Sequence, residues 1–138
     1  MHWFANPLRF QRLADAIYPY ALAGTVALFA VGLYGGLVMA PMDYQQGDAY
    51  RIIFVHVPAA WMALFVYLTL AIAAVFSIVW RHPLADLYGR AAAPVGAVFC
   101  FLSLVTGAIW GKPMWGTWWV WDARLTSMLI LFFLYLGY

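Results

Sequence analysis

Between Asp15 and Asp43 the chain carries no charged side chain, and Ala21 to Ala40 inside that interval is a nearly unbroken apolar run. A helix needs about 20 such residues to cross the roughly 30 Å of hydrocarbon in a bilayer, so this one stretch makes lipid the solvent. Three more apolar stretches follow, and the expected spans are 21–40, 58–80, 91–109 and 123–138. Composition supports the same reading. Only 9% of residues are charged and 67% are hydrophobic, whereas a soluble domain carries about 25% charged residues. A formal charge of +2 is far from a basic nucleic-acid footprint. The single cysteine, Cys100, excludes an internal disulfide or a CxxC pair and is expected to pack as a small hydrophobe.

The fold class expected is therefore all-α: a polytopic transmembrane helical bundle. Pro58 is read as the start of the second span and Pro94 as part of the first turn of the third, because proline suits a first helical turn. The fourth stretch has 16 residues, which reach only about 24 Å. The chain is accordingly expected to be the N-terminal part of a longer protein, with its fourth span incomplete. Successive crossings put the 42–57 and 112–122 loops on one face, and the N-terminus and the 81–90 loop on the other. Arg9, Arg12, Arg81 and Arg90 stand against Arg51, Lys112 and Arg124. By the positive-inside rule this favours a cytoplasmic N-terminus. His56 then lies outside, at the membrane boundary, while His2 and His82 lie across the bilayer from it.

The main chemical signal is the Trp-rich outer loop 110–122, which holds Trp110, Trp115, Trp118, Trp119 and Trp121, five of the eight tryptophans. An interfacial aromatic belt is one explanation. The other is a surface of rings on an irregular Gly- and Pro-containing backbone, suited to a large planar ligand. His56, on the same face, is either a neutral imidazole bonding a loop carbonyl or an axial ligand for the metal of a flat macrocycle. Haem would also present propionates, for which Arg51, Lys112 and Arg124 are the basic candidates; their alternative role is snorkelling at span ends. Asp122 precedes an apolar helical run and reads as an N-cap. Gly32-x-x-x-Gly36 and Gly107-x-x-x-Gly111 are small-residue patterns that permit close helix approach.

The stretch WGKPMWGTWWVWDARLTS, from Trp110 to Ser127, resembles the tryptophan-rich WWD signature of the haem-handling proteins, and its Ala-Arg-Leu-Thr-Ser continuation resembles the cytochrome c maturation protein C (CcmC) family. A second stretch, DYQQGDAYRIIFVHVPAA from Asp43, is similar to the first outer loop of that family. The resemblance implies a six-span bundle in the bacterial inner membrane whose Trp-rich loop presents transiently bound haem b on the periplasmic side. It also implies haem binding and delivery to the haem chaperone CcmE, in concert with the small subunit CcmD and the transporter CcmAB. His56 matches the first of two axial histidines, and Trp115, Trp118, Trp119, Trp121 and Asp122 match the signature. The family's second histidine lies in the loop between spans five and six, beyond Tyr138, so one axial ligand at most is expected here. The reading is of a carrier and not an enzyme. A quinone-binding subunit of a membrane oxidoreductase, with His56 bonding a quinone carbonyl, is the alternative, and a purely structural subunit anchored by its tryptophans is a third.

Overall fold

A computed structural model describes residues 6–138. Helix α1 spans Pro7–Tyr34 and runs on through a π-helical turn, Gly35–Met39. A 3-10 turn, Asp48–Ile52, leads into α2, Ile53–Trp80; α3 spans Pro83–Trp115 and α4 spans Ala123–Leu136. No strand occurs among the described residues. Three of these helical segments are long and apolar enough to cross a membrane. The chain is an all-α polytopic membrane bundle.

The centre is the antiparallel pair α2 and α3, with α4 laid against it. Arg81, left-handed at φ 48°, closes α2 with its amide on the Phe76 carbonyl, and Pro83 opens α3 one residue after His82. The buried stripe of α2 is Ala59, Ala63, Val66, Leu70 and Ala73. Facing it, α3 supplies Ala93, Ala97 and Cys100, and α4 adds Leu131 and Tyr135. Small residues dominate because lipid tails give no hydrophobic incentive for helices to associate, so close backbone approach and dispersion must do it. Gly96 leaves the space that the Tyr135 ring fills. The Tyr135 hydroxyl crosses the interface and donates to the Ala63 carbonyl at 2.6 Å; such interhelical bonds average about 0.6 kcal/mol in membranes. Cys100 is fully buried, as expected, and its thiol donates to the Met128 carbonyl at 3.1 Å. Helix α1 has no buried residue; near its start Phe10 lines a cavity with Ala73, Phe76 and Tyr88, and just past its end Gly36 lies beneath the Phe54 ring.

The helices outrun the expected spans. Span 21–40 becomes Pro7–Met39, losing only Ala40, 58–80 begins instead at Ile53, 91–109 widens to Pro83–Trp115, and only 123–138 shortens, to Ala123–Leu136. Pro58 and Pro94 thus stand inside helices and do not open them. Apolarity marks where the lipid is, but caps decide where a helix stops. A proline inside a helix costs one backbone bond, which a local 3-10 or π adjustment can offset, and Pro58 and Pro94 both lie on exposed helix surface. The 33 residues of α3 reach about 50 Å, roughly 20 Å more than the hydrocarbon. Part of that excess is the stretch 110–115, past the expected span, which holds Trp110 and Trp115 in helical backbone. The irregular loop expected at 110–122 shrinks to 116–122. His56, expected just ahead of a span that starts at Pro58, lies in the first turn of α2.

Candidate functional site

The end of the bundle that carries the tryptophans is built from three pieces: the 40–52 segment, the first turns of α2, and the end of α3 with its exit loop. Asp43 shapes the first. Its Oδ1 accepts from the amides of Gln45 and Gln46 at 2.9 and 2.8 Å, and its backbone pairs with Gly47, whose φ of 57° favours glycine. The tight tip aims Gln46 at α3, where its Oε1 accepts from Trp110 Nε1 at 2.9 Å. Arg51, at the end of the 3-10 turn, donates to the Leu37 carbonyl at 3.3 Å and pairs with Asp48 at 3.3 Å. Its Nε is buried with no partner.

His56 projects from the first turn of α2 toward α3, and its Nδ1 lies 3.0 Å from Thr106 Oγ1. A methyl group on Gly107 would sit 3.2 Å from His56 Cε1, so the glycine clears the ring. His56, Gln46, Tyr50, Val57, Gly107 and Trp110 line a cavity of about 280 Å³. Trp110 joins this cavity to the tryptophan loop, meeting the Trp115 ring edge-on at 5.1 Å between centroids. Gly111 turns its bare face to Trp115 and the Thr117 carbonyl. Both glycines of Gly107-x-x-x-Gly111 therefore serve the site, one for His56 and one for the returning loop. In the first pattern Gly36 is a close-approach position, while nothing lies within 4 Å of Gly32.

Gly116, at φ 76°, ends α3, and Lys112 Nζ donates to its carbonyl at 3.1 Å while standing 5.9 Å over Trp118. Thr117 Oγ1 donates to the Trp119 carbonyl at 3.1 Å. Trp119 and Trp121 pack edge to face at 5.3 Å, and Trp119 Nε1 is buried without a partner. Trp118 and Trp121 are 57% and 76% exposed. The rings thus form steep pairs with outward faces instead of one flat sheet. Asp122 is the N-cap expected: Oδ1 accepts from the Leu125 amide at 2.8 Å, and Oδ2 holds Arg124 through Nε at 3.0 Å and Nη2 at 2.8 Å. Arg124 in turn lies 5.6 Å over Trp115. Asp122 is therefore a clamp on the loop as well as a cap.

The sequence motifs and this geometry meet in the comparisons with known proteins. The family model described as Heme exporter protein C (CcmC) matches residues 1–138. The chain belongs to the Heme exporter protein C family. It is 56% identical to Heme exporter protein C of Bradyrhizobium diazoefficiens over 133 residues, 96% of this chain and 50% of that protein. With the Haemophilus influenzae and Escherichia coli K12 members it shares 56% and 50% identity over 137 residues, 99% of this chain and 56% of each. The chain spans about half the length of these relatives.

Set against the family pattern, the structure brings His56 beside Trp110 and leaves Trp115, Trp118, Trp119 and Trp121 out of the cavity that His56 lines. His82 is at the opposite end of the bundle, next to a larger apolar cavity of about 580 Å³ that includes none of the tryptophans; His2 lies outside the described residues. Sequence reading missed Thr106, Gln46 and the linking role of Trp110. Only Trp110 carried a signal, as the first ring of the cluster.

The Asp122 clamp gives the loop an acid limit. Its carboxyl is held below the usual carboxylate value, first by the Leu125 amide and then by the Arg124 guanidinium. A group so shifted stabilises the fold fully above its unfolded value, about pH 3.9 for aspartate, and that contribution fades as pH falls through the lowered folded value. Tryptophan fluorescence of the protein in nanodiscs, titrated downward from pH 6, should hold steady and then change beneath about pH 3.9 as the loop loosens. Asp122→Asn should lack that step. The same step in the Asn variant would assign it elsewhere.

Proposed function

We propose that this chain forms the haem-presenting part of a membrane protein that binds haem and delivers it to a haem chaperone during c-type cytochrome biogenesis. The observation that carries the reading is the meeting of His56 and Trp110 at one cavity, with the Trp115 ring packed edge-on against Trp110 outside it. The relatives are named as haem exporters, and the residues here suit such a cargo. His56 offers an imidazole for the iron and the tryptophans offer ring faces to the macrocycle, while Arg51, held by Asp48 and the Leu37 carbonyl, stands outside the cavity lining. Lys112 and Arg124 lie over tryptophan rings, where an anion such as a propionate could share them. At about 280 Å³ the cavity falls short of the roughly 300–1,000 Å³ of an enclosing ligand pocket. It accommodates an edge of the cargo and leaves the remainder against the outer surface, as a protein that hands its ligand on requires.

In this reading the protein carries haem b transiently and performs no chemistry on it. The Trp-rich end faces the periplasm from the inner membrane, and the chaperone CcmE, the small subunit CcmD and the transporter CcmAB are the partners. The deciding experiment is an absorption spectrum of the full-length protein purified from its membrane. A Soret band supports the proposal. A colourless preparation with extractable quinone would replace it with the oxidoreductase-subunit reading, and a colourless one without quinone would leave the tryptophans as an interfacial anchor.

A further inference from the structure

We infer that Thr106 is a positioning residue for His56: its hydroxyl fixes the imidazole as the Nδ1–H tautomer and so leaves Nε2 as the nitrogen that meets the iron. The inference deepens the haem reading above and rests on it for the identity of the metal.

The argument is one of hydrogen accounting. A threonine hydroxyl has one proton to give and lone pairs to accept with. Thr106 Oγ1 lies 2.6 Å from the Leu102 carbonyl and 3.3 Å from the Ser103 carbonyl, both on its own helix. Carbonyls only accept, so the hydroxyl proton is directed back into α3. Toward His56 Nδ1, at 3.0 Å, the oxygen then presents a lone pair. Two acceptors cannot share that approach, and the Ser103 carbonyl beside Thr106 is a further acceptor for the ring, so Nδ1 carries the hydrogen. In the neutral ring the lone pair is then on Nε2, the form that a metal needs. Gly107 completes the arrangement, because any side chain there would press on the ring edge at Cε1.

The interaction also fixes where the ring stands. His56 and Thr106 are 50 residues apart in sequence and sit on different helices, so the bond ties ligand orientation to the α2 and α3 packing. Ligating histidines commonly bond their second nitrogen to a carboxylate, carbonyl or water, and losing such a partner costs about 10–100-fold in metal affinity. Here a hydroxyl with its own proton already committed does the same work, at a depth where a carboxylate would be costly to bury.

The test uses the full-length membrane protein with 15N-labelled histidine, its haem-free form for the tautomer and added haemin for affinity. His56→Gln identifies the His56 signals. In the unmutated protein above pH 8, His56 should appear as Nδ1–H with a hydrogen-bonded shift. Thr106→Val, nearly the same volume, should lose that shift and weaken haemin binding by about 10–100-fold; Thr106→Ser, which keeps the hydroxyl, should restore both. An Nε2–H tautomer in the unmutated protein overturns the inference, as does full haemin affinity in the Val variant. Unmutated protein that shows the Nδ1–H signal yet takes up no haemin overturns the haem reading instead.

Discussion

His56→Ala in the full-length membrane protein should cost more haem than any other single substitution in the described chain. A supporting partner of a metal ligand contributes about 10–100-fold in affinity, and removal of the ligand itself should exceed that. Haem occupancy and the Soret band of the purified variant measure it. The residue is well placed for a clean comparison, because His56 is only half-buried in the first turn of α2 and takes no part in the central packing. Added imidazole should occupy the vacated space beside Gly107 and recover part of the band. His82→Ala is the control: His82 shares a bundle end with none of the tryptophans of the outer loop, and its variant should keep the full complement. Unchanged haem in His56→Ala, or loss in both variants alike, would remove His56 from the site.

The spans were legible because hydropathy reads solvent directly, and the three long helices contain their expected apolar runs. Helix ends were not legible, for reasons particular to this chain. Pro58 and Pro94 look like starts but lie within packed helices, and α2 stops at Arg81, a residue with no sequence mark of a left-handed cap. Gly111 and Pro113 suggested irregular backbone, yet α3 continues through both to Trp115. Gly111 is small because a returning loop presses on it, and not because its backbone bends. Asp122 as N-cap was readable from local order alone, since its partners are two and three residues away. The bonds of His56 with Thr106 and of Gln46 with Trp110 cross 50 and 64 residues. They exist only once α2 and α3 have paired, and one sequence shows no trace of them.

Replacing Trp115, Trp118, Trp119 and Trp121 together by alanine should lower haem affinity by about a hundredfold, whereas each single replacement should be partial. A well-placed aromatic pair contributes about 0.5–1.5 kcal/mol beyond area burial. Four ring–ligand contacts at about 0.7 kcal/mol each sum to ~3 kcal/mol, and each 1.4 kcal/mol is about a factor of ten. The structure divides the four into two kinds. Trp118 and Trp121 turn outward, so their loss removes ligand surface with little disturbance of the fold. Trp115 carries Arg124 on its face and Trp110 at its edge, so Trp115→Ala should also loosen the loop that Asp122 clamps. Haemin titration of Trp118→Ala/Trp121→Ala therefore reports the platform, and the difference from Trp115→Ala reports the clamp. Equal haem affinity in the fourfold variant would reduce the cluster to an interfacial belt. The ligand would then be held by the cavity that His56 and Trp110 line, on the inner side of the loop.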